Sequence, residues 1–298
     1  MPEDIRDKAF ITHEDMVGLN FINPSSPYVF RRHYRQGLRS HVMELVHRRD
    51  LALESSGIVI DGRRRYPKAR PFKIFRLFRT RLQSPQTALT EIERVKIVDT
   101  YLAPDYLAQS SEFIVDYLGP DGNQPVLCGL QEYVAGEIID PWSILDGDRL
   151  LLDWYNALAA STDPMPGPSR EWIPNARRHA MSFIARIKQM ARETMHIPDL
   201  AGLGNMIMIR AGKIKLVDIN NISRIFFDTR IRLDDRGYPV CDKSIEALAM
   251  LERKILGHPI DSNDVLYRTF LIPERMEEVT ALEKQFNHIR RMVDPFGC

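Results

Sequence analysis

The apolar positions of this chain change period several times, and each change marks the edge of an element. From Tyr34 to Arg49, Leu38, Val42, Leu45 and Val46 recur at helical spacing among basic residues, which predicts an amphipathic helix. Residues 56–60, followed by Gly62, read as the start of a hairpin, and residues 71–78, dense in aromatic and branched side chains, predict a strand. Ser84 then stands as an N-cap before Pro85, with Leu89, Ile92, Val95 and Val98 as an apolar stripe, so a helix is expected to run to Leu102. Two strands follow, at 112–117 and 126–134, separated by the turn sequence 119–123.

The second half changes character. Residues 150–160 and 175–193 predict helices, the longer one burying Ala180, Phe183, Ile184, Ile187 and Met190. Residues 206–209, the turn Arg210-Ala211-Gly212-Lys213 and residues 214–218 predict a compact β-hairpin. A helix over 245–255 stops at Gly257, and Met276, Val279, Leu282, Phe286 and Ile289 mark a last amphipathic helix. The first thirty residues show little periodicity and read as an arm.

At 298 residues the chain can bury a full core or two lobes. Cys128, Cys241 and Cys298 have no metal-site or disulfide-framework spacing, the start lacks the pattern of a secretory signal, and no stretch is apolar enough to span a membrane. These features predict a soluble, cytoplasmic protein. The net charge of +1 conceals an uneven distribution: from Arg31 to Arg81 there are fifteen Lys or Arg against four Asp or Glu. That bias suits phosphates, nucleic acid or an acidic membrane surface as partner, and otherwise reads as a solvated face balanced by acidic segments elsewhere.

The chemistry concentrates between Ile197 and Asp218. A long helix precedes a loop containing Asp199, Asn205 stands at the entry to the hairpin, and Asp218 lies just past its second strand. A side-chain amide and a carboxylate on neighbouring strands supply the hard oxygens that a magnesium ion bridging nucleotide phosphates requires. A further carboxylate nearby can accept or orient the proton of an acceptor hydroxyl.

In these residues the chain resembles the protein-kinase-like superfamily, whose catalytic loop reads D-x-x-x-x-N before a hairpin and a metal-binding Asp. Asn205 and Asp218 match the two metal ligands, thirteen positions apart. Asp199 matches the catalytic Asp with one extra residue in the loop, which Gly202 and Gly204 permit as a bulge; His196 reads as a helix-end histidine, and Asn220 and Asn221 as turn residues.

The resemblance further implies that Lys73 on its strand pairs with Glu91, or alternatively Glu93, on the next helix, and that Glu132, Tyr133 and Val134 present backbone groups to adenine. It implies a two-lobed α+β fold, with an N-lobe of sheet plus helix over 31–134 and a mainly helical C-lobe over 135–298. ATP and Mg2+ are the expected cofactors, and the acceptor is unassigned. No glycine-rich G-x-G-x-x-G precedes Lys73, and Asp218 is followed by Ile219-Asn220. A small or atypical phosphotransferase is therefore expected, with a pseudokinase acting as nucleotide sensor or scaffold as the first alternative. A basic module binding nucleic acid or anionic lipid is the second.

Overall fold

Strand pairing, where residues 34–49 read as a helix, organises the first part of the chain. The computed structural model describes residues 3–34, 39–82, 84–161, 163–219, 221–257 and 259–293, with side chains to residue 289. It divides into two units, one of Met1–Arg94 with Ala108–Tyr133 and the other of Val95–Leu107 with Val134–Cys298. Both helices and strands are abundant, and the fold is mixed α+β.

In the first unit the elements are α1 (His13–Val17), β1 (Tyr28–Arg32), β2 (Ser40–His47), α2 (Arg48–Ser56), β3 (Ile58–Ile60), β4 (Arg63–Arg65), β5 (Lys73–Phe78), the start of α3 (Pro85–Leu102), β6 (Ser110–Gly119) and β7 (Gly122–Glu132). Five strands form an antiparallel sheet in the order β1-β2-β5-β7-β6. The expected helix over 34–49 is thus corrected to strand β2 followed by α2, while residues 35–38 of that expectation lie outside the described residues. Strand β2 has ladder partners on both sides, and most of its residues are buried, so its apolar positions do not alternate and mimic a helical stripe.

One face of this sheet carries the core. Phe30, Met43, Leu45, Phe75, Leu77, Val126 and Cys128 pack there with Ile5, Ile11, Met16 and Leu19 from the first thirty residues. The segment read as an arm is tied down by a capping box between Thr12 and Asp15, and by the Ile5 N–H, which donates to the Tyr117 hydroxyl at 3.2 Å. The buried Arg6 binds Asp4 at 2.6 Å and Gln124 at 2.5 Å. Helix α3 begins as expected: the Thr87 N–H donates to Ser84 Oγ at 3.3 Å.

The second unit contains β8 (Glu137–Ile138), α4 (Gly147–Ala159), α5 (Ser169–Thr194), β9 (His196–Pro198), β10 (Met206–Met208), β11 (Ile214–Leu216), β12 (Ile222–Arg224), α6 (Val240–Leu256), α7 (Val265–Phe270) and α8 (Pro273–Val293). Its core joins Trp154 and Leu158 of α4, Phe183, Ile187 and Met190 of α5, and Leu248, Leu251 and Ile255 of α6. The expected hairpin forms, with Met206 opposite Leu216 and Met208 opposite Ile214, and β8 extends it along β10. A second ladder pairs β9 with β12, two strands of three residues that the pattern of the chain does not announce. Among the described residues no helix is long and apolar enough to cross a membrane.

Candidate functional site

Two short ladders of the second unit fix both ends of the loop from Asp199 to Asn205. At the near end, α5 closes on Met195 in the left-handed conformation, φ 59°, and the chain turns into β9. The Asp199 N–H continues the β9–β12 ladder by donating to the Asn221 carbonyl at 2.9 Å. At the far end the Val217 N–H donates to the Asn205 carbonyl at 2.8 Å, one step beyond the Met206–Leu216 pair. Asn205 therefore faces the residue immediately before Asp218. The buried Leu200 N–H is held by Ser244 Oγ of α6 at 3.2 Å, which pins the loop to the helical core.

Inside the loop, Asp199 Oδ1 accepts from the N–H groups of Ala201 at 2.9 Å and Gly202 at 3.0 Å. Asn205, only 8% exposed, donates Nδ2 to the Asp199 carbonyl at 2.9 Å. That bond uses one N–H of the amide, and Asn205 Oδ1 accepts no hydrogen bond among the described residues. Both glycines are constrained by this arrangement: Gly204 sits at φ 91°, and a Cβ on Gly202 would lie 2.4 Å from Asn205 Nδ2. Only glycine at 202 admits the Asn205 side chain to its place.

The electrostatics couple two of the three polar groups. Burial pushes the Asp199 carboxyl up to about 6. The Gly202 N–H opposes that rise, whereas the negative charge of Asp218 adds to it. A carboxyl poised near neutrality beside a second carboxylate can take up or release a proton under ordinary conditions. Asn205 Oδ1 and the Asp218 carboxylate are both hard oxygen donors, the type that a divalent cation such as magnesium takes. Among the described residues no group of three or more His, Cys, Asp or Glu side chains is arranged to hold a metal by itself.

The expected ion pair in the first unit is corrected. Glu91 Oε1 instead accepts from Arg94 Nη1 at 2.8 Å, one turn along α3, and Glu93 is exposed. Lys73 makes no ion pair among the described residues; by strand alternation it shares the face of Phe75 and Leu77, which the first thirty residues help to cover. The buried cation of β5 is Arg76, on the opposite face, bonded to Ser110 at 3.3 Å and Glu112 at 3.2 Å.

At the end of β7, Glu132 lies opposite Lys73, its N–H donates to the Gln109 carbonyl at 2.8 Å, and its Oε1 accepts from the Gln109 N–H at 3.0 Å. Tyr133 and Val134 follow directly and are partly buried. His196 Nδ1 lies 2.6 Å from the Thr194 carbonyl, a helix-end contact. Asn221 holds Asp199 through its backbone, and Asn220 lies outside the described residues. The contributions of Ser244 and of β12 had no sequence signal, because each acts through a contact made across the fold.

The chain matches no protein-family model and no curated protein at a significant level.

Proposed function

We propose that the loop from Asp199 to Asp218 is a kinase-like phosphotransfer site. Asn205 Oδ1 and the Asp218 carboxylate hold Mg2+ against the phosphates of ATP, and Asp199 takes the proton of an acceptor hydroxyl as that oxygen bonds to the γ-phosphorus and ADP departs. The observation that carries this reading is the orientation of Asn205: an N–H of its amide donates to the Asp199 carbonyl, which leaves its oxygen as the group available to a cation. The raised Asp199 carboxyl supports the same assignment, since a base near neutrality matches the pH at which it must act. Bound magnesium would neutralise charge on the phosphates.

On this reading the antiparallel sheet, with α3 between β5 and β6, corresponds to the small lobe of the protein-kinase-like fold. The helical unit with its β10–β11 hairpin corresponds to the large one. The phosphate-pairing role of Lys73 with Glu91 is withdrawn.

One observation favours a second reading. Asp199 already uses Oδ1 to organise its own loop, so the protein would bind nucleotide without transferring phosphate, as a sensor or scaffold. Thermal stabilisation by ATP with and without magnesium tests the binding, because a ligand of the native state must raise its apparent stability. ADP release by the parent and by Asp199→Ala tests the transfer. A magnesium-dependent shift with turnover that falls in Asp199→Ala is the expected result. A shift without turnover selects the sensor, and no shift at millimolar nucleotide overturns both readings.

A further inference from the structure

The basic excess between Arg31 and Arg81 is not spread evenly over the first unit. Several of its cations are spent internally: Arg31 on Glu44 at 2.7 Å and Glu54 at 3.0 Å, Arg76 on Glu112, and Arg81 on Asp7 at 2.5 Å. The strands β3 and β4 are different. They pair only with each other, Ile58 with Arg65, Val59 with Arg64 and Ile60 with Arg63, and all residues from 61 to 68 are exposed. In such a ribbon paired residues share a face, so Arg63 and Arg65 lie with Ile60 and Ile58 on one side, and Arg64 lies with Val59 on the other. Each face thus mixes cations with apolar side chains.

Ile58 is half-buried, but the other apolar side chains are open to solvent: Val59 is 66% exposed, Ile60 39% and Tyr66 61%. Lys68 ends this exposed stretch, Arg70 is exposed beyond the buried Ala69, and Asp61 in the turn is the one acidic residue between Gly57 and Arg70. Helix α2, immediately before the ribbon, buries no residue at all.

We infer that the β3–β4 ribbon is a docking element for an anionic lipid surface. Arginines would meet the phosphate-bearing headgroups, while Val59, Ile60 and Tyr66 enter the boundary between headgroups and acyl chains. The charge of the ribbon is complementary to either an acidic membrane or a nucleic acid. The apolar residues decide between them, because a phosphate backbone gives exposed Val and Ile nothing to bury against, whereas a bilayer interface does, and tyrosine is enriched at that level. This inference is independent of the phosphotransfer site, since it uses no residue of that site.

The test is sedimentation of the full chain with vesicles of phosphatidylcholine alone and with about one-third phosphatidylserine, beside binding to a short RNA and a DNA duplex. Binding is expected to the anionic vesicles only. Changing Arg63, Arg64 and Arg65 together to Ser is expected to weaken it on the order of a hundredfold. Changing Val59 and Ile60 together to Ser is expected to weaken it by about tenfold or more. The substituted side chains are solvent-exposed, so the thermal midpoint of each variant should match the parent and separate lost docking from lost folding. The inference is overturned if anionic vesicles are not bound or if the variants bind them like the parent. It is equally overturned if the charge change alone matters, or if nucleic acid is bound in preference.

Discussion

Asn205 donates its side-chain amide to the Asp199 carbonyl at 2.9 Å, a contact that reaches six residues back along the loop and fixes the orientation of the amide. The loop would retain its ladder contacts at both ends without this bond, but the amide would be free to turn. Asn205→Ala is therefore expected to lower stability by about 1–3 kcal/mol, the cost of breaking a buried hydrogen bond. It should also abolish the magnesium-dependent part of the stabilisation by ATP. Melting curves with ATP alone and with added magnesium check both effects.

Gly202→Ala should reproduce the Asn205 phenotype without touching a polar atom. A Cβ at 202 would stand 2.4 Å from Nδ2 and 2.8 Å from both Cγ and Oδ1 of Asn205, so the side chain must leave its place. The same loss of magnesium response, in a variant with Asn205 intact, is the expected outcome. An unchanged response would show that the amide is not used where it lies.

Asp199 makes the stability of the protein depend on pH with a definite sign. Its carboxyl titrates at about 6 in the folded chain against an ordinary value of 3.8, so between those values the native state binds more protons than the unfolded one. Stability from this group is accordingly full below pH 4, falls as pH rises through the window, and above 6 carries a penalty of about 3 kcal/mol. Asp199→Asn keeps an oxygen for the Ala201 and Gly202 N–H groups and cannot ionise. The variant should therefore exceed the parent in stability at pH 7.5 and match it near pH 4. Denaturant titrations at the two pH values compare them.

Asp218 should be detectable through Asp199 as well as through the cation. Its negative charge helps hold the Asp199 carboxyl up, so Asp218→Asn is expected to move the Asp199 titration toward the ordinary carboxylate range. Carbon NMR of the side-chain carboxyl across the pH range reads the shift directly. The same variant should retain part of the magnesium-dependent ATP stabilisation, because an amide oxygen remains, while Asp218→Ala should retain none.

Much of the chain's local structure follows from its residues alone. Ser84 caps α3 because its hydroxyl can accept from the Thr87 N–H, and Gly257 ends α6 because glycine tolerates the left-handed conformation it adopts there, φ 71°. The hairpin carrying Asn205 and Asp218 is equally local: two short branched runs flank a turn, and the chain needs no distant partner to choose that pairing.

Tertiary structure alone decided the rest. Residues 40–47 carry apolar side chains at spacings that suit a helix, and they form a strand because β1 and β5 supply hydrogen-bond partners on both sides. Which face Lys73 occupies depends on the register of that sheet, since a shift of one residue would exchange its two faces, and Glu91 turned to the nearer Arg94. The sequence could place Asp199, Asn205 and Asp218 near one another. The direction of the Asn205 amide and the raised Asp199 carboxyl depended on the β9–β12 ladder, on Ser244 from α6 and on burial, none of which is encoded within the loop itself.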